Sequence, residues 1–176
     1  MKPKHWIAAL CLVFITSQGI NAQTTLADGI KDWQRAKDYT KEYLDAMPET
    51  GYALKPTPEM RSFAEQMLHL ADANYAFIST AADVQSPLGP GGAEKGSDKS
   101  KTAVTKLVLE SYDFVINNIN KIKPEQMNEM IKLFGHFDMT KAAAVEKAFE
   151  HQTHHRGQTT VYLRLARVKP PQEKLF

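Results

Sequence analysis

Cysteine is almost missing from this sequence: Cys11 is the only one in 176 residues. It falls in an N-terminal segment expected to be removed, so neither a disulfide nor a thiolate ligand is open to the mature chain. As a lipid-attachment site Cys11 is poor, because Leu10 before it is too large and the apolar run ahead of it is short. A surplus of one charge is missing as well. The chain has 22 Lys and Arg against 20 Asp and Glu, and Lys2 and Lys4 belong to the N-terminal segment, which leaves 20 against 20. Nucleic-acid binding needs a basic surplus gathered on one face, so this balance argues against it. Beyond the first residues no apolar run is long enough for a membrane span. The glycines between Gly89 and Gly96 carry no G-x-x-x-x-G-K-[ST] pattern, which argues against a phosphate loop.

The N-terminus reads as an export signal. Lys2, Lys4 and His5 are a positive leader to the apolar run Trp6–Ile15, and small and polar residues follow up to Ala22. Cleavage after Ala22 takes 22 of the 176 residues and leaves 154, residues 23–176, enough for one domain with a full core. The expected location is the periplasm or the medium, with no membrane insertion once the signal is gone.

Spacings of three and four between apolar residues predict helices throughout. Residues 25–47 form the first, through Leu26, Ile30, Trp33, Ala36, Tyr39, Tyr43 and Met47, and Pro48 and Gly51 end it. Thr57-Pro58-Glu59 opens the second as cap, first-turn proline and first-turn acid, and Phe63, Met67, Leu70, Ala71, Tyr75 and Ile78 carry its apolar face to about Thr80. Lys101 to Asn120 is the third. Lys123-Pro124-Glu125 starts a shorter helical piece ending at Gly135, and Asp138 or Thr140 caps a fourth helix from Lys141 to Ala166, with Val145, Phe149, Leu163 and Leu165 as core. Residues 81–100, rich in glycine, proline and small polar side chains, form the longest helix-free stretch. Roughly 18 extended residues reach about 60 Å, more than the roughly 33 Å of a 22-residue helix. Such a link can run back along the bundle and start the third helix parallel to the second; a flap over a site is the other role open to it. The fold class is all-α, a four-helix bundle without strands.

Histidine carries the chemistry. His151 and His155 are four apart, so on the fourth helix they stand on one face with Cβ atoms about 6 Å apart. Two imidazoles so spaced can share a metal ion, although an isolated pair also suits hydrogen-bonded core histidines. They lie on a stripe with Ala144, Ala148, Gln158, Tyr162 and Ala166. A catalytic-type site needs a third ligand and an open position for water. His154 points about 100° away from His155, and His136 sits in a turn at one end of the bundle, which leaves His69 as the best candidate. Glu65, Asp72 and His154 are candidate catalytic residues, to orient an imidazole or take a proton. Gln158 and Tyr162 are candidates to line a substrate cavity. Arg156, off the stripe, reads as exposed or at an interface. Gly157 costs about 1 kcal/mol in a helix, which points to a close neighbouring helix or to access to the site.

Met60-Arg61-Ser62-Phe63 leading to Met67-Leu68-His69-Leu70-Ala71, the block His151 to Gln158, then Tyr162-Leu163-Arg164 and Pro170-Pro171 resemble the DinB/YfiT-like superfamily over nearly the whole mature chain. The resemblance implies a bundle of up-down-down-up topology with the long crossover between helices two and three. It implies a divalent ion (Zn, Ni, Fe, Mn or Co) held by His69, His151 and His155, with water in other positions, and often a homodimer. Members with known activity include thiol-dependent transferases, a thiol-dependent isomerase and metal-dependent hydrolases. An export signal weighs against a cytoplasmic thiol cofactor. The expected function is an exported metal-dependent hydrolase or transferase acting on a small molecule of unknown identity. The alternative is a metal-binding or structural protein without chemistry.

Overall fold

The computed structural model describes residues 18–176, with side chains from Asp28 onward. The expected export signal therefore lies, for residues 1–17, outside the described residues. Four long helices make the frame: α1 (Gln18–Ala46), α2 (Phe63–Ala82), α3 (Lys101–Ile119) and α4 (Lys141–Leu165). Among the described residues, no helix is long and apolar enough to cross a membrane.

Pairs of touching side chains set the directions. Lys37 meets Asp113, Thr40 meets Tyr112 and Lys101 reaches the carbonyl of Asp45, so α1 and α3 are antiparallel. Glu65 meets Lys99, at the threshold of α3, and Asn74 meets Ser111, so α2 and α3 are parallel. Gln66 meets His155 and Phe77 meets His151, so α4 runs against α2. Trp33 meets Phe149 and Tyr43 meets Thr160, so α4 runs along α1. The order is up-down-down-up, and the glycine-rich crossover makes the parallel step possible.

The core follows the expected stripes. Trp33, Leu44, Phe63, Met67, Leu70, Ile78, Val108, Tyr112, Tyr162 and Leu163 are essentially inaccessible to water. Trp33 packs edge-on against both Tyr112 and Phe149, with ring centroids 5.8 and 5.2 Å apart. Leu165, expected in the core, is exposed on the last turn of α4. Arg156 is buried instead of exposed: its guanidinium lies 4.6 Å from the Tyr39 ring centroid and Nη1 donates to Gln152 Oε1 at 2.7 Å. Tyr112 donates to the same oxygen and shares a hydrogen bond with Thr40. This polar chain crosses the core between α1, α3 and α4, where burial pushes the Tyr112 hydroxyl up to about 12.

Two elements differ from the sequence reading. The second helix starts at Phe63, not after Thr57, because Ser62 caps it. Ser62 Oγ accepts the Glu65 N–H while Glu65 Oε2 accepts the Ser62 N–H, which satisfies two groups at once. The N–H groups of Phe63 and Ala64 are taken by the carbonyls of Leu54 and Tyr52, and Thr57 closes a separate turn with Met60.

The helical piece expected at 123–135 is a 3₁₀ turn, Pro124–Gln126, followed by an antiparallel hairpin, β1 (Met130–Leu133) and β2 (Phe137–Thr140). Leu133 pairs with Phe137 and Met130 with Thr140. Phe134 and Gly135 have φ of +53° and +74°, which turns the chain back where a helix would have to continue. Leu133 alone of β1 is fully buried, an alternation suited to a strand lying on a core. Thr140 ends the hairpin and caps α4 by accepting the Ala143 N–H.

Candidate metal centre

α2 and α4 face each other across a polar seam that holds three imidazoles. His69 comes from the middle of α2, and His151 and His155 come from successive turns of α4. The ring centroids are 4.2 Å apart for His151 and His155, 4.6 Å for His69 and His155, and 5.2 Å for His69 and His151. One nitrogen from each ring lies within 4.8 Å of the other two. Tetrahedral donors at about 2.1 Å from one ion stand about 3.4 Å apart, so coordination asks the rings to close by about 1 Å or somewhat more where a pair is widest.

The electrostatics suit a cation. Burial first, then the neighbouring imidazoles and Arg61, holds His151 down at about 4 and His155 down at about 3. Both rings are therefore neutral at ordinary pH, with lone pairs free for a ligand bond. The buried Gln66 amide nitrogen lies 2.8 Å from His155 Nδ1 and donates to it; ligation through Nε2 requires the amide to turn its oxygen to the ring, so that Nδ1 carries the proton. His151 Nδ1 is buried without a hydrogen-bond partner. An unsatisfied buried acceptor costs about 1–3 kcal/mol, and a bound cation is one partner that removes the cost. The three residues therefore fit a divalent metal ion.

The other candidates are placed less favourably. Glu65 is occupied by the Ser62 N–H and by Lys99 at 3.0 Å, and these hold its carboxyl down at about 2, too weak a base for proton transfer near neutral pH. Asp72 turns both oxygens to the backbone N–H groups of Ala93 and Glu94, at 2.8 and 2.9 Å, and does not orient an imidazole. His154 is exposed beside His155 and hydrogen-bonded to Gln158 at 2.9 Å. Gln158 also contacts Gln66, and so joins His154 to the amide that holds His155. Tyr162 is 1 % exposed and donates to the Arg61 carbonyl, which makes it a support for the start of α2 with no surface for a substrate. His136 lies exposed in the hairpin turn.

Two neighbours of the cluster were missed from sequence, Gln66 on α2 and Glu94. For Glu94 the contact is with His69. Its Oε1 lies against His69 Nδ1, and the same oxygen is 3.3 Å from Arg61 Nε. It sits in the glycine-rich crossover, where no spacing rule could link it to α2. Apolar walls flank the centre: Phe77 packs 5.9 Å from His151, and Phe134 of the hairpin packs 5.0 Å from Phe77. A groove of about 580 Å³ lies elsewhere, lined by Gly29, Trp33, Met127, Val145 and Phe149 among others, and includes none of the three histidines.

The fold has parallels among solved structures. A DinB-like protein from Bacillus cereus ATCC 10987 superposes with a TM-score of 0.73 at 15% identity, over 84% of this chain and 97% of that one. A DinB-like protein from Bacillus subtilis, YjoA, gives 0.65 at 19% identity, over 85% and 96%. A conserved protein from Enterococcus faecalis gives 0.65 at 19%, over 79% and 95%. At these identities the likeness is one of fold. No curated protein is significantly similar in sequence. The sequence profile described as "DinB family" matches residues 22–175, nearly the entire bundle and all three clustered histidines, and the chain belongs to that family.

Proposed function

We propose that His69, His151 and His155 bind a divalent metal ion and that the protein is a metal-dependent hydrolase or transferase acting on a small molecule. The observation that carries this reading is the meeting of three imidazoles from two helices, with one buried ring nitrogen left without a protein partner. When bound, such an ion supplies Lewis acidity and lowers the pKa of a coordinated water or thiol. Three neutral ligands leave its charge uncompensated, which favours an anionic group on the substrate. The Arg61 guanidinium, whose field reaches His151 and His155, adds to that preference. The His69 side chain is 29% exposed, which leaves an approach from solvent.

Metal binding without chemistry is the second reading, and one observation favours it. The carboxylates of Glu65 and Asp72 are both occupied by other partners, so neither is free to move a proton. Export to the periplasm or medium and assembly as a homodimer belong to the proposal as well, the first from the N-terminal sequence and the second from the family resemblance. Cell fractionation and sedimentation test them.

The ligand assignment is tested by elemental analysis of protein purified without chelators or nickel resin. About one ion per chain is expected, and His151→Ala should fall well below that. Full occupancy in the variant would overturn the assignment. Turnover of esters, amides or thiol conjugates by the loaded protein separates the enzyme from the metal-binding reading.

A further inference from the structure

We propose that Glu94, delivered by the crossover between α2 and α3, is the positioning residue for His69: its carboxylate accepts a hydrogen bond from Nδ1–H, which keeps the proton on Nδ1 and leaves Nε2 with the lone pair that a metal ligand needs. The inference rests on the metal reading above and goes beyond it, because it gives the glycine-rich stretch a role in the site.

The placement of Glu94 is built, not incidental. Asp72, three residues after His69 on α2, accepts the backbone N–H groups of Ala93 and Glu94. Ala93 is 1% exposed, so its methyl group is seated in the core. The crossover is therefore strapped to α2 about one turn from His69, and Glu94 extends from that fixed point to the ring. Its Oε1 lies against Nδ1 of His69, is shielded from water and has no hydrogen bond aligned to it from any group, so a small rotation of the His69 ring is what would satisfy it. Arg61 Nε, at 3.3 Å from the same oxygen, offsets the carboxylate's charge.

Imidazole chemistry supplies the consequence. A neutral ring carries its proton on one nitrogen and offers the other as ligand, and an acceptor at Nδ1 selects which is which. A carboxylate acceptor also raises the basicity of the ligating nitrogen. Among the described residues, the set whose donors all lie within 4.8 Å of one another contains the three histidines and not Glu94. Its carboxylate thus acts through His69 and not as a fourth ligand.

The test uses the full chain, stripped of metal and titrated with Zn²⁺ against a competing chelator. Loss of a carboxylate behind a ligating histidine typically weakens binding about 10–100-fold, and Glu94→Ala should do so. Glu94→Gln, which keeps an acceptor oxygen and the side-chain shape, should lie between Glu94→Ala and the unaltered chain. In the metal-free state, ¹⁵N NMR should show His69 as the Nδ1–H tautomer, shifting to a mixture in Glu94→Ala. A merely structural role for Glu94 would not move that tautomer. Zinc affinity of Glu94→Ala within about twofold of the unaltered chain, with the same His69 tautomer, would overturn the proposal. If the unaltered chain binds no zinc at all, the metal reading fails by itself, and the tautomer comparison still decides whether Glu94 governs His69.

Discussion

At the scale of single residues, the three histidines differ from ordinary surface histidines in being gathered beside one another in a partly dry seam. Burial and mutual repulsion resist protonation, so in the folded, metal-free protein His151 titrates near 4 and His155 near 3, against 6.5 for an unperturbed ring. Between about pH 6.5 and pH 3 the unfolded chain then binds more protons than the folded one, and stability falls as pH is lowered. The contribution is fully present above pH 6.5. Urea midpoints of the metal-free protein should drop through that window, and His155→Gln should flatten the slope. An unchanged slope in the variant would mean that His155 is not held neutral by its surroundings. The pairing of His151 with His155 was legible from their spacing on a helix. The neighbours that hold the cluster, Gln66 and Glu94, were not, since each meets its imidazole across the fold and sequence distance carries no sign of it.

At the scale of elements, α4 has nearly the boundaries its spacing predicts, and of the two reasons its central glycine suggested, close packing and access to the site, the first fails. Gly157 is not needed for close packing, because an added Cβ there would meet nothing within 4 Å. It is exposed and inside a continuous helix. Gly157→Ala should therefore stabilise the protein by roughly 0.5–1 kcal/mol, seen as a higher melting temperature. A lower one would show that the position has a constraint of its own. The hairpin shows the opposite difficulty. Met127, Met130, Ile131 and Phe134 have helical spacing, and short apolar segments do not choose between helix and strand by periodicity alone. The left-handed turn at Phe134 and Gly135 and the packing of Leu133 against the bundle decided for the strand.

At the scale of the molecule, the crossover sets the direction of α3 and also closes over the face of α2 that carries His69. A ligand that binds only the folded state stabilises it by linkage, about 2.7 kcal/mol when present at a hundred times its dissociation constant. Adding Zn²⁺ to stripped protein should raise the melting temperature by several degrees, and chelator should reverse the rise. No shift in either direction would count against any native metal centre.

The sequence by itself determined the four helices, the parallel step between α2 and α3, and the three histidines that meet. Those features follow from local periodicity, from the reach of an 18-residue link and from the geometry of a helix turn. Only the tertiary structure decided that Glu65 and Asp72 are occupied, that Arg156 is buried on Tyr39, and that Glu94 stands behind His69. These depend on which side chains compete for the same partner once the chain has closed on itself.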